Sequence, residues 1–162
     1  MVETLLKYGI TYGSGVPCSI FKDELLEIEN DPRFTYVPAV DEATALGVVN
    51  GFTLGGKRAF LLTQNSAVGK VADLIASFNI PYDVPLFWIV SLRGVSNDTE
   101  VHKRAIPLTR RIMDELHFMH WDNYQMGFDN FHEACEMFLD DTEELRLATR
   151  NICYQIYKKE AK

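Results

Sequence analysis

Two runs in the sequence are apolar at almost every position: "AFLL", Ala59–Leu62, and "LFWIV", Leu86–Val90. A strand with one wet face alternates apolar and polar residues; a run without alternation needs cover on both faces. Each run also leads, through polar residues, into a segment with helical spacing. Buried strands that alternate with helices imply parallel βαβ units. The expectation is therefore an α/β fold, a three-layer parallel sheet flanked by helices.

The other segments fit that plan. Helices are expected at Val2–Tyr8, from Cys18 or Ser19 to Glu29, at Glu42–Leu54, Ser66–Phe78, Ile106–Leu116, Asn130–Leu139 and Thr142–Lys159. Strands are expected near Ile10–Tyr12, at Phe34–Val40, Arg58–Thr63, Leu86–Leu92 and Phe118–Trp121. Gly13, Gly15 and Pro17 are placed in a turn, and Asp41 is placed as a helix cap. Asp141 with Glu144 has the spacing of a capping box. The stripe Leu145, Ile152 and Ile156 would close the domain or meet a partner.

With 162 residues the chain suits one domain, 1–162, with a core of its own. A net charge of −7 argues against nucleic acid or an anionic membrane as a general partner. No apolar run is long enough to span a bilayer. Residues 1–9 lack the layout of a signal peptide. Cys18, Cys135 and Cys153 form no CxxC, so neither a disulfide framework nor a zinc site is expected, and a reducing cytoplasm is the expected setting. His117 and His120 lack a third ligand, and no metal site is assigned to the chain.

In parallel α/β sheets, ligands collect where strands end and helices begin. Four loops qualify: Gly13–Ser19, Ala39–Glu42, Thr63–Val68 and Ser91–His102. The third ends in Gly69-Lys70, but a phosphate loop needs a Gly five residues earlier and Ser or Thr after the Lys. Here those positions hold Gln64 and Val71. Lys70 therefore reads as a helix-surface lysine. Gly55-Gly56 reads as a helix C-cap and turn.

Taken together the loops carry a family resemblance. "GVPCS" (Gly15–Ser19), "VPAVDEATALGVVNGFTLGGKRAFLLTQNS" (Val37–Ser66) and "YDVPLFWIVSLRG" (Tyr82–Gly94) resemble the thiamine-diphosphate-dependent decarboxylases that act on phosphonopyruvate or sulfopyruvate. The resemblance is collinear from about Leu5 to Leu116, and it implies the domain that binds the coenzyme's aminopyrimidine. In that family a second domain holds the diphosphate and metal through a Gly-Asp-Gly motif. No Gly-Asp-Gly occurs here. The resemblance thus implies an alpha subunit in a hetero-oligomer, with a beta subunit holding the diphosphate and Mg²⁺.

By the same resemblance, Glu42 is the glutamate that bonds N1′ of the aminopyrimidine and so helps C2 lose its proton. Gln64 and Asn65 would lie near the cofactor. Cys18, Ser19, Arg93 and His102 would face a small anionic 2-oxo acid; a guanidinium suits a phosphonate or sulfonate because its fork binds two oxygens. Thr109 follows His102 by seven residues, as in phosphonopyruvate decarboxylases. The usual "QNSGL" is "QNSAV" here, and Leu92 stands where Trp is common. The implied activity is a carboxy-lyase that releases CO2 and an aldehyde. Two other readings are open: a related split decarboxylase or carboligase, and a non-catalytic scaffold or regulatory subunit.

Overall fold

The computed structural model describes residues 1–94, 100–122, 130–139 and 151–156. Six strands form one parallel sheet in the order β2-β1-β3-β4-β6-β5. They are β1 (Tyr12–Gly15), β2 (Thr35–Pro38), β3 (Ala59–Gln64), β4 (Leu86–Ser91), β5 (Met119–Asp122) and β6 (Asn151–Ile156). The helices are α1 (Val2–Lys7), α2 (Lys22–Asn30), α3 (Glu42–Leu54), α4 (Val68–Leu74), α5 (Glu100–Lys103), α6 (Ala105–Glu115) and α7 (Asn130–Leu139).

The unbroken apolar strands are buried on both sides, and alternate residues serve different layers. Phe60, Leu62, Phe87 and Ile89 pack with residues of α1, α2 and α7, among them Leu5, Ile28 and Phe131, and with Phe21 just before α2. Ala59, Leu61, Leu86, Trp88 and Val90 pack with residues of α3, α4 and α6, among them Leu46, Val49, Val71 and Met113. Phe87 and Trp88 are fully buried, so they belong to the core of the sheet. The indole of Trp88 donates to Thr63 Oγ1 at 2.8 Å, which satisfies its one polar atom.

Several expected bounds move. The first strand lies later than expected, so Gly13 and Gly15 belong to β1 and not to the turn. The cause is crowding. A Cβ on Gly13 would run into the Phe60 ring, and one on Gly15 into the Leu62 carbonyl. These glycines let β1 sit between β2 and β3. The second helix begins with a short 3-10 turn, Ser19–Phe21, and Cys18 precedes it without a side-chain cap bond. The helix after β3 also starts as a 3-10 turn, Asn65–Ala67, and ends in a π turn, Ile75–Asn79. Asn79 there exchanges amide hydrogen bonds with Asn50 of α3 at 2.8 and 3.1 Å, a buried pair that clamps the two helices.

The expected final helix, Thr142–Lys159, is wrong over Asn151–Ile156, which is β6. Ile152, Tyr154 and Ile156 also carry a period of two, and β-branched and aromatic residues favour strands. The place of β6 between β4 and β5 decides between the two periods. Asp141, Glu144 and Leu145 lie outside the described residues. Gly55-Gly56 ends α3 as expected: Gly56 takes φ +74°, and Lys57 N–H donates to Phe52 O at 2.9 Å. His117 takes φ +56° at the end of α6, a turn role.

Gly15→Ala is expected to cost about 1–3 kcal/mol through overpacking. Gly47→Ala, with nothing within 4 Å of the added methyl, is expected to gain about 0.5–1 kcal/mol by helix propensity. Urea midpoints of the two variants check both signs.

Candidate functional site

Because the described strands are all parallel, their carboxyl ends fall on one rim, and the described residues of the four loops meet there. Ala39 N–H donates to Gly15 O at 3.0 Å, and Ser14 Oγ to Val37 O at 2.7 Å, which ties the first two loops. Cys18 Sγ lies 3.2 Å from Ser91 Oγ, and Arg93 Nη1 donates to Ser19 Oγ at 3.3 Å, which ties the first to the fourth.

Asn65 is the brace of this rim. Its side chain is buried, and it grips the main chain of Arg93 from both ends. Arg93 N–H donates to Asn65 Oδ1 at 3.0 Å, and Asn65 Nδ2 donates to Arg93 O at 3.2 Å. Thr109 Oγ1 in α6 adds a bond to Asn65 O at 3.3 Å. Asn65 thus spends both ends of its amide on the protein, and its nearest role is to place Arg93. Gln64 Nε2 donates to Ser66 Oγ.

Glu42 is the first residue of α3. Asp41 caps that helix: its Oδ1 accepts from Thr44 N–H at 2.8 Å, as expected. The Thr44 backbone bond is the main reason that the Asp41 carboxyl sits below its ordinary range, with a further contribution from Lys70. Glu42 is only 6% exposed. Its Oε2 accepts from Lys70 Nζ of α4 at 3.0 Å. No other bond to this carboxylate is present among the described residues, and Oε1 stays open. Val40, 91% exposed, leaves apolar surface at the same loop.

The structure therefore brings Cys18, Ser19, Asn65 and Arg93 into one bonded cluster. Glu42, at the start of α3, makes no bond to that cluster among the described residues and is joined to the helix after the third loop. His102 lies in α5, and its main chain packs against Gly94, which takes φ +94°. Two open hollows flank the bridge. One, of about 440 Å³, is lined by Cys18, Ser19 and Lys22 among others. The second, of about 270 Å³, is lined by Asn65, Ser66, Arg104 and Thr109 among others. Lys70 is the exposed helix lysine expected, but sequence reasoning missed its bond to Glu42, and it missed Ser91. It also missed Tyr36, whose buried hydroxyl has no hydrogen-bond partner among the described residues and whose pKa burial pushes up. Only the fold brings these groups to the rim. No cluster of three metal-ligating side chains occurs among the described residues.

Several known proteins are similar to this chain in sequence. The sulfopyruvate decarboxylase subunit alpha of Methanothermobacter thermautotrophicus is 32% identical over 111 residues, 68% of this chain and 66% of that one. The subunit alpha of Methanocaldococcus jannaschii is 36% identical over 85 residues, 52% of this chain and 50% of that one. The phosphonopyruvate decarboxylase of Streptomyces viridochromogenes is 29% identical over 136 residues, 83% of this chain and 34% of that one. The chain is a homologue of the sulfopyruvate and phosphonopyruvate decarboxylases. Its matches cover 50% to 66% of the length of these subunit-alpha relatives. No family model matches. Among solved structures, a 2-oxoglutarate:ferredoxin oxidoreductase from Magnetococcus marinus is similar in fold, with a TM-score of 0.58 at 11% identity over 94% of this chain and 27% of that one. That likeness confirms the α/β class. Among the described residues no helix is long and apolar enough to cross a membrane.

Asn65→Ala removes both bonds that the Asn65 amide makes to the Arg93 main chain and is expected to cost about 1–3 kcal/mol; thermal denaturation reads the loss. Asp41→Ala is expected to lower the melting temperature near neutral pH. The lowered folded pKa of Asp41 makes its contribution full above the unfolded value of about 4, and the contribution vanishes as pH falls through the folded value. The two melting curves should converge at acid pH.

Proposed function

We propose that this chain is the alpha subunit of a thiamine-diphosphate-dependent 2-oxo acid decarboxylase. The substrate is phosphonopyruvate or sulfopyruvate, and the products are the matching aldehyde and CO2. The observation that carries this reading is Glu42: a nearly buried carboxylate with one open oxygen, at a helix start on the ligand-binding rim of a parallel sheet. The names of the relatives supply the reaction class.

The donor set fits an aminopyrimidine. Glu42 Oε1 is available to a ring nitrogen, and Val40 offers apolar surface beside it. Gln64, braced by Ser66, lies one loop away. The coenzyme, when bound, supplies the nucleophilic carbon and the electron sink that decarboxylation needs. Glu42 holds and returns the proton at N1′. Arg93 and Ser19 hold the phosphonate or sulfonate, with the guanidinium carrying the charge. Cys18 and His102 border that end of the rim. The hollows beside these residues are open, which suits a site completed by a second chain. A beta subunit would hold the diphosphate and Mg²⁺, and the chain, residues 1–162, would act as the pyrimidine-binding domain of a hetero-oligomer in the cytoplasm.

Two variants test this in the complex isolated with its native partner. Glu42→Gln should lower turnover by about 10²-fold or more while the complex still assembles, a size in keeping with loss of a proton-handling group. Undiminished turnover would sink the proposal. Arg93→Met should raise KM for the anionic 2-oxo acid by at least about tenfold and leave KM for pyruvate nearly unchanged, since a charge-assisted bond is lost.

A further inference from the structure

Lys70 reaches Glu42 in a way that an ordinary surface lysine does not. Its side chain is 66% exposed, while the Glu42 side chain is 8% exposed. An exposed ammonium gains little from an exposed carboxylate. Here the stem runs in from solvent to an acceptor that water scarcely reaches, and the bond is 3.0 Å. The partners sit on different elements, α4 and α3. The bond therefore fixes more than a side chain: it ties the helix after the third loop to the helix that starts at the second.

The two carboxylate oxygens are not equivalent. Oε2 is held by Lys70, while Oε1 has no partner among the described residues. A carboxylate on a free rotor would present either oxygen. One anchored at Oε2 presents Oε1 alone.

Resting on the functional reading above, we infer that Lys70 is a positioning residue: it stays on Oε2 of Glu42 while Oε1 receives the pyrimidine ring. It does not act as a placeholder that the coenzyme must expel. The two roles predict opposite signs. Removal of a positioning residue weakens coenzyme binding; removal of a placeholder tightens it.

The test is calorimetric titration of thiamine diphosphate, with Mg²⁺, into the complex isolated with its native partner. Lys70→Met should weaken binding by about fivefold, the size of one charge-assisted bond discounted for exposure. It should also lower kcat while KM for the 2-oxo acid stays put. Lys70→Arg, which keeps the cation, should recover most of both. In a Glu42→Gln background, Lys70→Met should make no further difference to binding, since the two act as a pair. Tighter binding by Lys70→Met, unchanged binding, or an equal loss in the Glu42→Gln background would overturn the role. If Glu42→Gln weakens binding and turnover while Lys70→Met changes neither, the Lys70 role alone falls. If the wild-type complex binds no thiamine diphosphate, the functional reading falls, and the Lys70 role falls with it.

Discussion

Burial of β3 and β4 on both faces is the constraint from which the other features descend. Neither strand offers water a face, so helices must cover both sides of the sheet. The only short-range way to supply them is a helix between each pair of strands, which makes the strands parallel. Parallel strands then end on one rim. The chemistry collected at that rim is a consequence of how Phe60, Leu62, Phe87 and Ile89 divide from Leu61, Trp88 and Val90.

The rim is held by polar groups of two kinds. One set is fully spent on the protein: the Asn65 amide on Arg93, the Asp41 carboxylate on Thr44, and the Asn50–Asn79 pair between helices. The other set keeps something in reserve: the Tyr36 hydroxyl is buried without a partner among the described residues, and Glu42 is bonded there only through Oε2. Buried polar groups are normally paired. A rim that combines tight bracing with a few open acceptors is rigid where it must be and receptive where a ligand arrives.

Much of this was legible in the sequence because it is written locally. The apolar runs gave β3 and β4, helical spacing gave α3 and α6, and Asp41 announced its own cap. What failed depended on partners distant in the chain. Gly13 and Gly15 look like turn residues until Phe60 and Leu62 are seen against them. The segment with Ile152 and Ile156 satisfies two periods, and only its slot beside β4 selects one. Lys70 is a surface residue as expected, but its bond to Glu42 was hidden because that partner lies 28 positions away. The family motifs pointed to Glu42, Asn65 and Arg93, but they did not show that Asn65 serves Arg93 directly.

That last bond has a bearing on how such a rim can change over generations. Asn65 holds Arg93 by its peptide groups, not by its guanidinium. The main-chain hold on this turn is therefore separate from the side chain it displays, whose guanidinium reaches Ser19. A lineage could exchange the residue at this point and keep the Asn65 brace beneath it.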